Sequence, residues 1–290
     1  MNPLDIISHI RGGAIKKIVV DCDAGADGDD QFALAYALTS PDRVEVLAAC
    51  SAPFNDPAPA VEEGKQECAD IISAAGRKVP AYAGSPDFIA RTGAPVESEA
   101  AARLRDIVLS AEAPVYVVIT GCCTNVASAL ALYPEIRERL IVVWLALDNL
   151  ERRHNTGEYN YHNDIAAGKL LFSLAENMVL VCAGRVVGPY RRTDDEIDAL
   201  FSGNGPLPTW LRKRFREITW AQGLWDLCAE SLLILPEACK TEVSPRPLFG
   251  EDGEIIGFDA LRPIVLVNEN DPAAIIADAA ARINGWETTR

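Results

Sequence analysis

The chain has 290 residues, 49% hydrophobic and 24% charged, the proportions of an ordinary globular protein able at this length to bury roughly 75% of its unfolded surface. Its 27 basic and 42 acidic residues give a formal charge of −15, which argues against general electrostatic attachment to a nucleic-acid polymer or an anionic membrane. Eight cysteines are too dilute for a disulfide scaffold and read as reduced, no apolar run reaches the roughly 18–20 residues that span a bilayer, and no signal-like segment opens the chain, so a cytoplasmic location is expected.

In chain order, β-rich apolar runs predict strands at 16–21, 44–50, 115–120, 140–146, 178–182 and 263–268. Helical spacing between most of them predicts helices at 31–39, 61–75, 97–111, 163–175 and 223–235. This alternation implies an α/β fold with an open, mostly parallel sheet covered by helices on both faces. No linker or repeat divides residues 1–290, so a single domain is expected. The Asp252-Gly253 turn predicts a hairpin over 241–262, appended to the sheet. Residues 184–222 predict helices over one end of the sheet, and the apolar side chains of 200–222 suggest an oligomer interface.

Behind the first strand, five aspartates fall within ten residues: Asp21, Asp23, Asp27, Asp29 and Asp30. In open α/β sheets ligands bind at the carboxyl ends of strands, where this loop lies. Gly25 and Gly28 allow a sharp reversal that brings carboxylates together. The loop is either a solvated acidic turn or a hard-cation site completed by distant segments. An EF-hand does not fit, because counting from Asp23 puts Gly25 at the third position and Leu34 at the twelfth, where oxygen ligands are required.

The stretch DCDAG followed by DD resembles the DxDPGxDD signature of the inosine-uridine nucleoside hydrolases, with Ala24 for proline and two extra residues before Asp29-Asp30. Three further segments are similar to that family in the same order: TGCCTNVASAL with Thr124-Asn125, HNTGEYNYHNDIAA with Asn155, Glu158, Asn160 and Asp164, and GLWDLCAESLLILPE with Asp226. The resemblance implies a nucleoside hydrolase-like α/β fold, a Ca²⁺ cofactor, and hydrolysis of a ribonucleoside or related N-riboside to ribose and free base, as in purine or pyrimidine salvage. It also implies a homo-oligomer.

Carried over by position, the resemblance assigns Asp23, Asp30, the Thr124 carbonyl and Asp226 to the metal, with Asp23 taking the proton from a calcium-bound water. Asp29 would meet the ribose 2′-hydroxyl, Asn160 and Asp226 the 3′ side, and Glu158 and Asn155 the 5′-hydroxyl. Asn55 falls near a ribose-contacting asparagine and serves equally well as a turn residue. Asp21 reads as structural, Asp27 as undecided, and Asn125 and Asp164 also as helix caps. Family members place a histidine just before the late aspartate, where this chain has Trp225. Of its three histidines, His9 reads as solvated and His154 and His162 flank the 5′ motif. Trp225, Trp220 and Tyr159 are candidates to pack on a base.

Two alternatives stay open on the sequence. A protein of the same fold, lacking the acid, binds a ribosyl compound and turns it over poorly. A phosphatase of the haloacid dehalogenase type would use Asp21 as nucleophile and Asp23 as acid, but leaves Asp29-Asp30 and the GEYN stretch unexplained.

Overall fold

The computed structural model describes residues 1–218 and 222–287. Eight strands form one sheet: β1 (Lys16–Cys22), β2 (Val44–Ser51), β3 (Ala81–Tyr82), β4 (Val115–Ile119), β5 (Leu140–Ala146), β6 (Asn177–Cys182), β7 (Cys239–Phe249) and β8 (Ile255–Asn270). Their order is β3-β2-β1-β4-β5-β6-β8-β7, with every neighbouring pair parallel except β7 and β8. The expected α/β fold is therefore present. β4, β5 and β6 are buried along their whole length, which is why they read as unbroken apolar runs rather than alternating ones.

Successive strands run outward from β1 through β2 to β3, and the chain then returns to β4 on the other side of β1. The carboxyl ends of β1 and β4 thus meet at the reversal point of the sheet, the crevice where open α/β sheets take their ligands. The helix Asp30–Leu38 that follows the acidic loop is buried on every side, all nine residues included. It packs against the helix Leu227–Ile234, likewise buried throughout. Each is an unbroken run of mainly apolar residues with no solvent face, the pattern of a helix enclosed by others.

The Asp252-Gly253 turn lies in the connection between β7 and β8. The hairpin is longer than its sequence signature, and its base is part of the main sheet, since β8 also pairs with β6. β7 escaped the sequence reading because Pro245 and Pro247 interrupt it, and prolines are tolerated there only because it is an edge strand. Between them, Arg246 turns inward, 2% exposed. Its guanidinium donates to the Arg262 carbonyl at 3.0 Å and to the Phe172 and Ala175 carbonyls at 2.8 and 2.6 Å. The last two belong to the carboxyl end of the helix Ile165–Leu174, where carbonyls lack intrahelical donors.

The amino-terminal helix Pro3–Arg11 was not anticipated; Asn2 caps it and Ile6 and Ile10 anchor it. His9 is not solvated as expected: its Nδ1 lies 2.6 Å from the Tyr116 hydroxyl. The apolar side chains expected to form an interface in 200–222 are instead internal at Phe201, Leu207, Leu211 and Phe215. Exposed large apolar residues concentrate on the hairpin, at Val243, Leu248, Ile256, Phe258 and Leu261. All eight cysteines are buried and free of disulfides. Among the described residues no helix is long and apolar enough to cross a membrane.

Arg246→Met removes three donors and leaves buried carbonyls without partners. Urea denaturation is expected to show a loss of about 2–3 kcal/mol, with activity of the surviving folded fraction retained.

Candidate active site

Beyond the end of β1 the backbone turns back at once. Ala26 N donates to the Asp23 carbonyl at 2.8 Å, and Gly25 adopts φ +108°, a conformation open to glycine but strained for other residues. The loop is held from outside by Gln31, whose amide donates to the Asp27 carbonyl at 3.2 Å and to Glu67 at 3.0 Å, while Arg214 also donates to Glu67. From β4, Thr120 donates its hydroxyl to Asp30 Oδ1 at 2.8 Å. Gly121 follows, and a β-carbon there would stand 2.8 Å from Asp23 Cγ. Only glycine leaves room for that carboxylate.

The outcome is a cavity of about 280 Å³ at the strand-order reversal. Its lining includes Asp23, Asp27, Asp29, Asp226 and Glu158 with Thr120 and Asn160, and also Leu145, Tyr159, Ala183, Val187 and Trp225. Asp30 is not part of the lining, and the Asp23 and Asp226 carboxylates come within hydrogen-bonding reach of it. Carboxylate oxygens of Asp27, Asp29 and Asp30 also lie within 4.8 Å of one another. Asp29 is tied down by the Asp226 amide at 3.2 Å.

Burial first, and neighbouring carboxylates second, push Asp23, Asp29 and Asp226 well above the usual carboxylate range. The same causes, led by burial and then Asp27, push Asp30 up to about 7. Asp23 Oδ2 is buried with no hydrogen-bond partner, and no basic side chain among the described residues lines the cavity. Carboxylates this close, without a donor between them, require a proton or a cation. A hard divalent cation, which takes six to eight oxygens, fits this all-oxygen set.

Several residues singled out in the sequence lie elsewhere. Thr124, whose carbonyl the resemblance assigns to the ion, begins the helix Thr124–Leu132, donates its hydroxyl to Asp164 at 2.7 Å and is not among the lining residues. Thr120, the first residue past β4, lines the cavity. Asn155 is consumed locally: its amide oxygen accepts from Asn149 N at 3.0 Å and its nitrogen donates to the Arg152 carbonyl at 2.9 Å, so it braces the loop before Glu158. Asn55 is exposed at φ 48°, and its carbonyl accepts from Arg91. It does not line the cavity.

Asp21 is buried at the end of β1, accepts from Asn125 at 2.7 Å, and keeps its other oxygen unpartnered. Asn125 is no helix cap: it also donates to the Ser51 carbonyl and accepts from Ser85 N, linking three strand ends. Asp164 does cap the following helix, through Ala167 N. Glu158 accepts from the amides of Leu147, Asn160 and Tyr161 at 2.9–3.1 Å. Asn160 donates to the Thr120 and Leu145 carbonyls, which turns its own oxygen into a fixed acceptor. His154 and His162 are exposed and away from the cavity. Trp220 lies outside the described residues.

A doubly wound α/β sheet with an acidic, oxygen-rich cavity at its reversal point is the setting of a small-molecule site able to take a hard cation. The chain belongs to the inosine-uridine preferring nucleoside hydrolase family, whose model it matches over residues 18–248. It is accordingly an enzyme that hydrolyses the N-glycosidic bond of ribonucleosides. Similar solved structures include an inosine-guanosine nucleoside hydrolase, at TM-score 0.76 and 18% identity over 94% of this chain and 100% of that one. Others are an inosine-uridine preferring nucleoside hydrolase from Bacillus anthracis (0.71, 17%, 93% and 99%) and a purine-preferring ribonucleoside hydrolase from Gardnerella vaginalis (0.71, 18%, 94% and 99%). No curated protein matches the chain.

The raised carboxylates fix the sign of a pH effect. The folded state keeps protons that an unfolded aspartate releases near pH 4. Stability from such a group is complete below about pH 4 and is lost as pH rises through about 7. In buffer stripped of divalent ions the melting temperature is expected to fall from about pH 5 to about pH 8. Saturating divalent cation is expected to raise it and remove the fall. Asp30→Ala is expected to lose the response to the cation.

Proposed function

We propose that the protein is a calcium-dependent N-ribohydrolase in which Asp23, Asp30, Asp226 and the Thr120 carbonyl hold the ion and Asp23 is the general base. The buried, unpartnered Asp23 Oδ2, in a carboxylate that neighbours Asp30 and Asp27, is the observation that carries this reading. A bound Ca²⁺ supplies charge that makes a water easier to deprotonate and additional coordination for sugar hydroxyls.

The chain's own groups supply the rest. Asp29 accepts from the ribose 2′-hydroxyl, the Asn160 oxygen and Asp226 accept at the 3′ side, and Glu158 accepts from the 5′-hydroxyl. Each is a fixed acceptor before substrate arrives, because backbone amides or carbonyls already orient Glu158, Asn160 and Asp29. The carboxylates of the cavity favour the oxocarbenium character that the sugar acquires as its bond to the base lengthens. Asp23 accepts the proton of the attacking water while that oxygen joins the anomeric carbon.

Ribose release from purine nucleosides, pyrimidine nucleosides and 4-nitrophenyl riboside, each with calcium and with chelator, tests this. Calcium-dependent release is expected, and Asp23→Asn is expected to lower kcat by about 10²–10⁴-fold. No release from any riboside, alongside a calcium-dependent rise in melting temperature, is the result expected of a binder instead.

A further inference from the structure

Asp27 belongs to the stretch Ala26-Asp27-Gly28, where the DxDPGxDD signature has a single residue. Its carboxylate folds back on the chain that follows, Oδ1 accepting from the Asp29 amide at 3.4 Å. A carboxylate oxygen of Asp27 lies within 4.8 Å of oxygens on both Asp29 and Asp30, and Asp27 lines the same cavity as Asp23 and Asp226. Calcium–oxygen bonds are about 2.4 Å long, so two ligands of one ion stand at most about 5 Å apart. The spacing lets Asp27 share the ion that Asp30 holds. Asp29, the third of the trio, is engaged by the Asp226 amide and keeps the ribose role assigned above.

Asp23 supplies an independent sign of an ion at this spot. Its Oδ2 is buried with no partner, and its carboxylate neighbours Asp30 and Asp27. No basic side chain among the described residues lines the cavity to meet these groups. Asp27 is also held in place from outside. Gln31, 1% exposed on the helix Asp30–Leu38, donates to the Asp27 carbonyl at 3.2 Å and to Glu67 at 3.0 Å. Arg214 donates to Glu67 from the helix Pro206–Glu217, and Phe215 of that helix closes over Gly28, where a β-carbon would stand 3.1 Å from the ring. These contacts restrain a carboxylate that a flexible loop would turn to water, and calcium affinity rises with the charge and rigidity of the ligand set.

We propose that Asp27 is a further ligand of the ion, added by the lengthened loop, with Gln31, Glu67 and Arg214 as the residues that position it. The proposal rests on the calcium reading above and extends its ligand set. An additional carboxylate in a rigid frame gives an ion that is retained without substrate. It also favours calcium or a trivalent lanthanide over magnesium, which keeps several waters and is usually bound through fewer carboxylates.

Calcium, by calorimetry, and terbium(III), by emission sensitised through Trp225 in the cavity lining, are titrated into the full chain and its variants without substrate. Asp27→Ala is expected to raise the calcium Kd about 10–100-fold, and Asp27→Asn, whose amide oxygen can still ligate, by less. The loss is expected to persist in about 1 M KCl, where a field acting from a distance is screened. Terbium emission lifetimes in water and heavy water are expected to show about one more bound water in Asp27→Ala, since a vacated position is filled by solvent. Arg214→Ala is expected to raise the Kd about threefold with hydration unchanged. Glu112→Gln, exposed before the amino end of β4, removes the same charge at the opposite edge of the sheet and is expected to change neither. Melting temperatures of the calcium-free variants report folding, and the isosteric Asp27→Asn serves if Asp27→Ala does not fold. Unchanged affinity and hydration in Asp27→Ala overturn the proposal, as does a loss that vanishes at high salt; unchanged affinity in Arg214→Ala removes the positioning role. Calcium binding lost in Asp30→Ala but kept in Asp27→Ala overturns this inference alone, whereas no calcium binding by the unaltered chain overturns the calcium reading beneath it as well.

Discussion

Mutual repulsion among the carboxylates of Asp23, Asp27, Asp29, Asp30 and Asp226 is the force that the surrounding structure has to contain. At contact distances inside a protein, two like charges oppose one another by several kcal/mol, so a flexible loop would splay them into water. Here they are prevented from separating. Asp30 opens a helix that is buried on all sides, Asp226 immediately precedes another, and Asp29 is bonded to the backbone of Asp226. Thr120 holds Asp30 from β4, and Gly121 clears the volume that Asp23 occupies. The tension is relieved by protons or by a cation, which is why the site is both strongly shifted in its titration and suited to a hard metal ion.

Much of this was legible in the sequence, and the parts that were not share a physical cause. Parallel strands buried on both faces announce themselves as apolar runs, so β1, β2, β4, β5 and β6 were found to within a residue or two. β3 is two residues long and carries no periodicity, and β7 is broken by prolines that only an edge position explains. At the site, the acidic loop and its later partner Asp226 were visible because charge behind an apolar run is conspicuous. Thr124 draws attention in the sequence because it sits in a recognisable Thr-Asn pair. The rule that ligands meet strand ends would have favoured Thr120, the first residue past β4. Asn155 and Asn55 carried no such warning: whether an asparagine faces a ligand or braces its own loop depends on hydrogen bonds that sequence spacing does not record.

The cavity also divides its labour. Its polar lining is built from strand ends and helix starts, with acceptors oriented by backbone amides and carbonyls. Its apolar and aromatic lining includes isolated side chains on loops and short helices: Tyr159, Val187, Trp225. Fixed acceptors suit a sugar, whose hydroxyls are the same in every ribonucleoside; an apolar and aromatic surface sorts bases by shape and charge.

The enclosed helix Asp30–Leu38 carries this division into the history such a protein can have. With no solvent face, it has no position where a substitution is free, and any change that moves Asp30 must first be accommodated by the core around Phe32 and Leu34. At the rim, the half-buried Val187 and Trp225 are less tightly enclosed. New base preferences in this scaffold are therefore reached by drift at the rim, while the sugar and the ion are inherited together with the ability to fold.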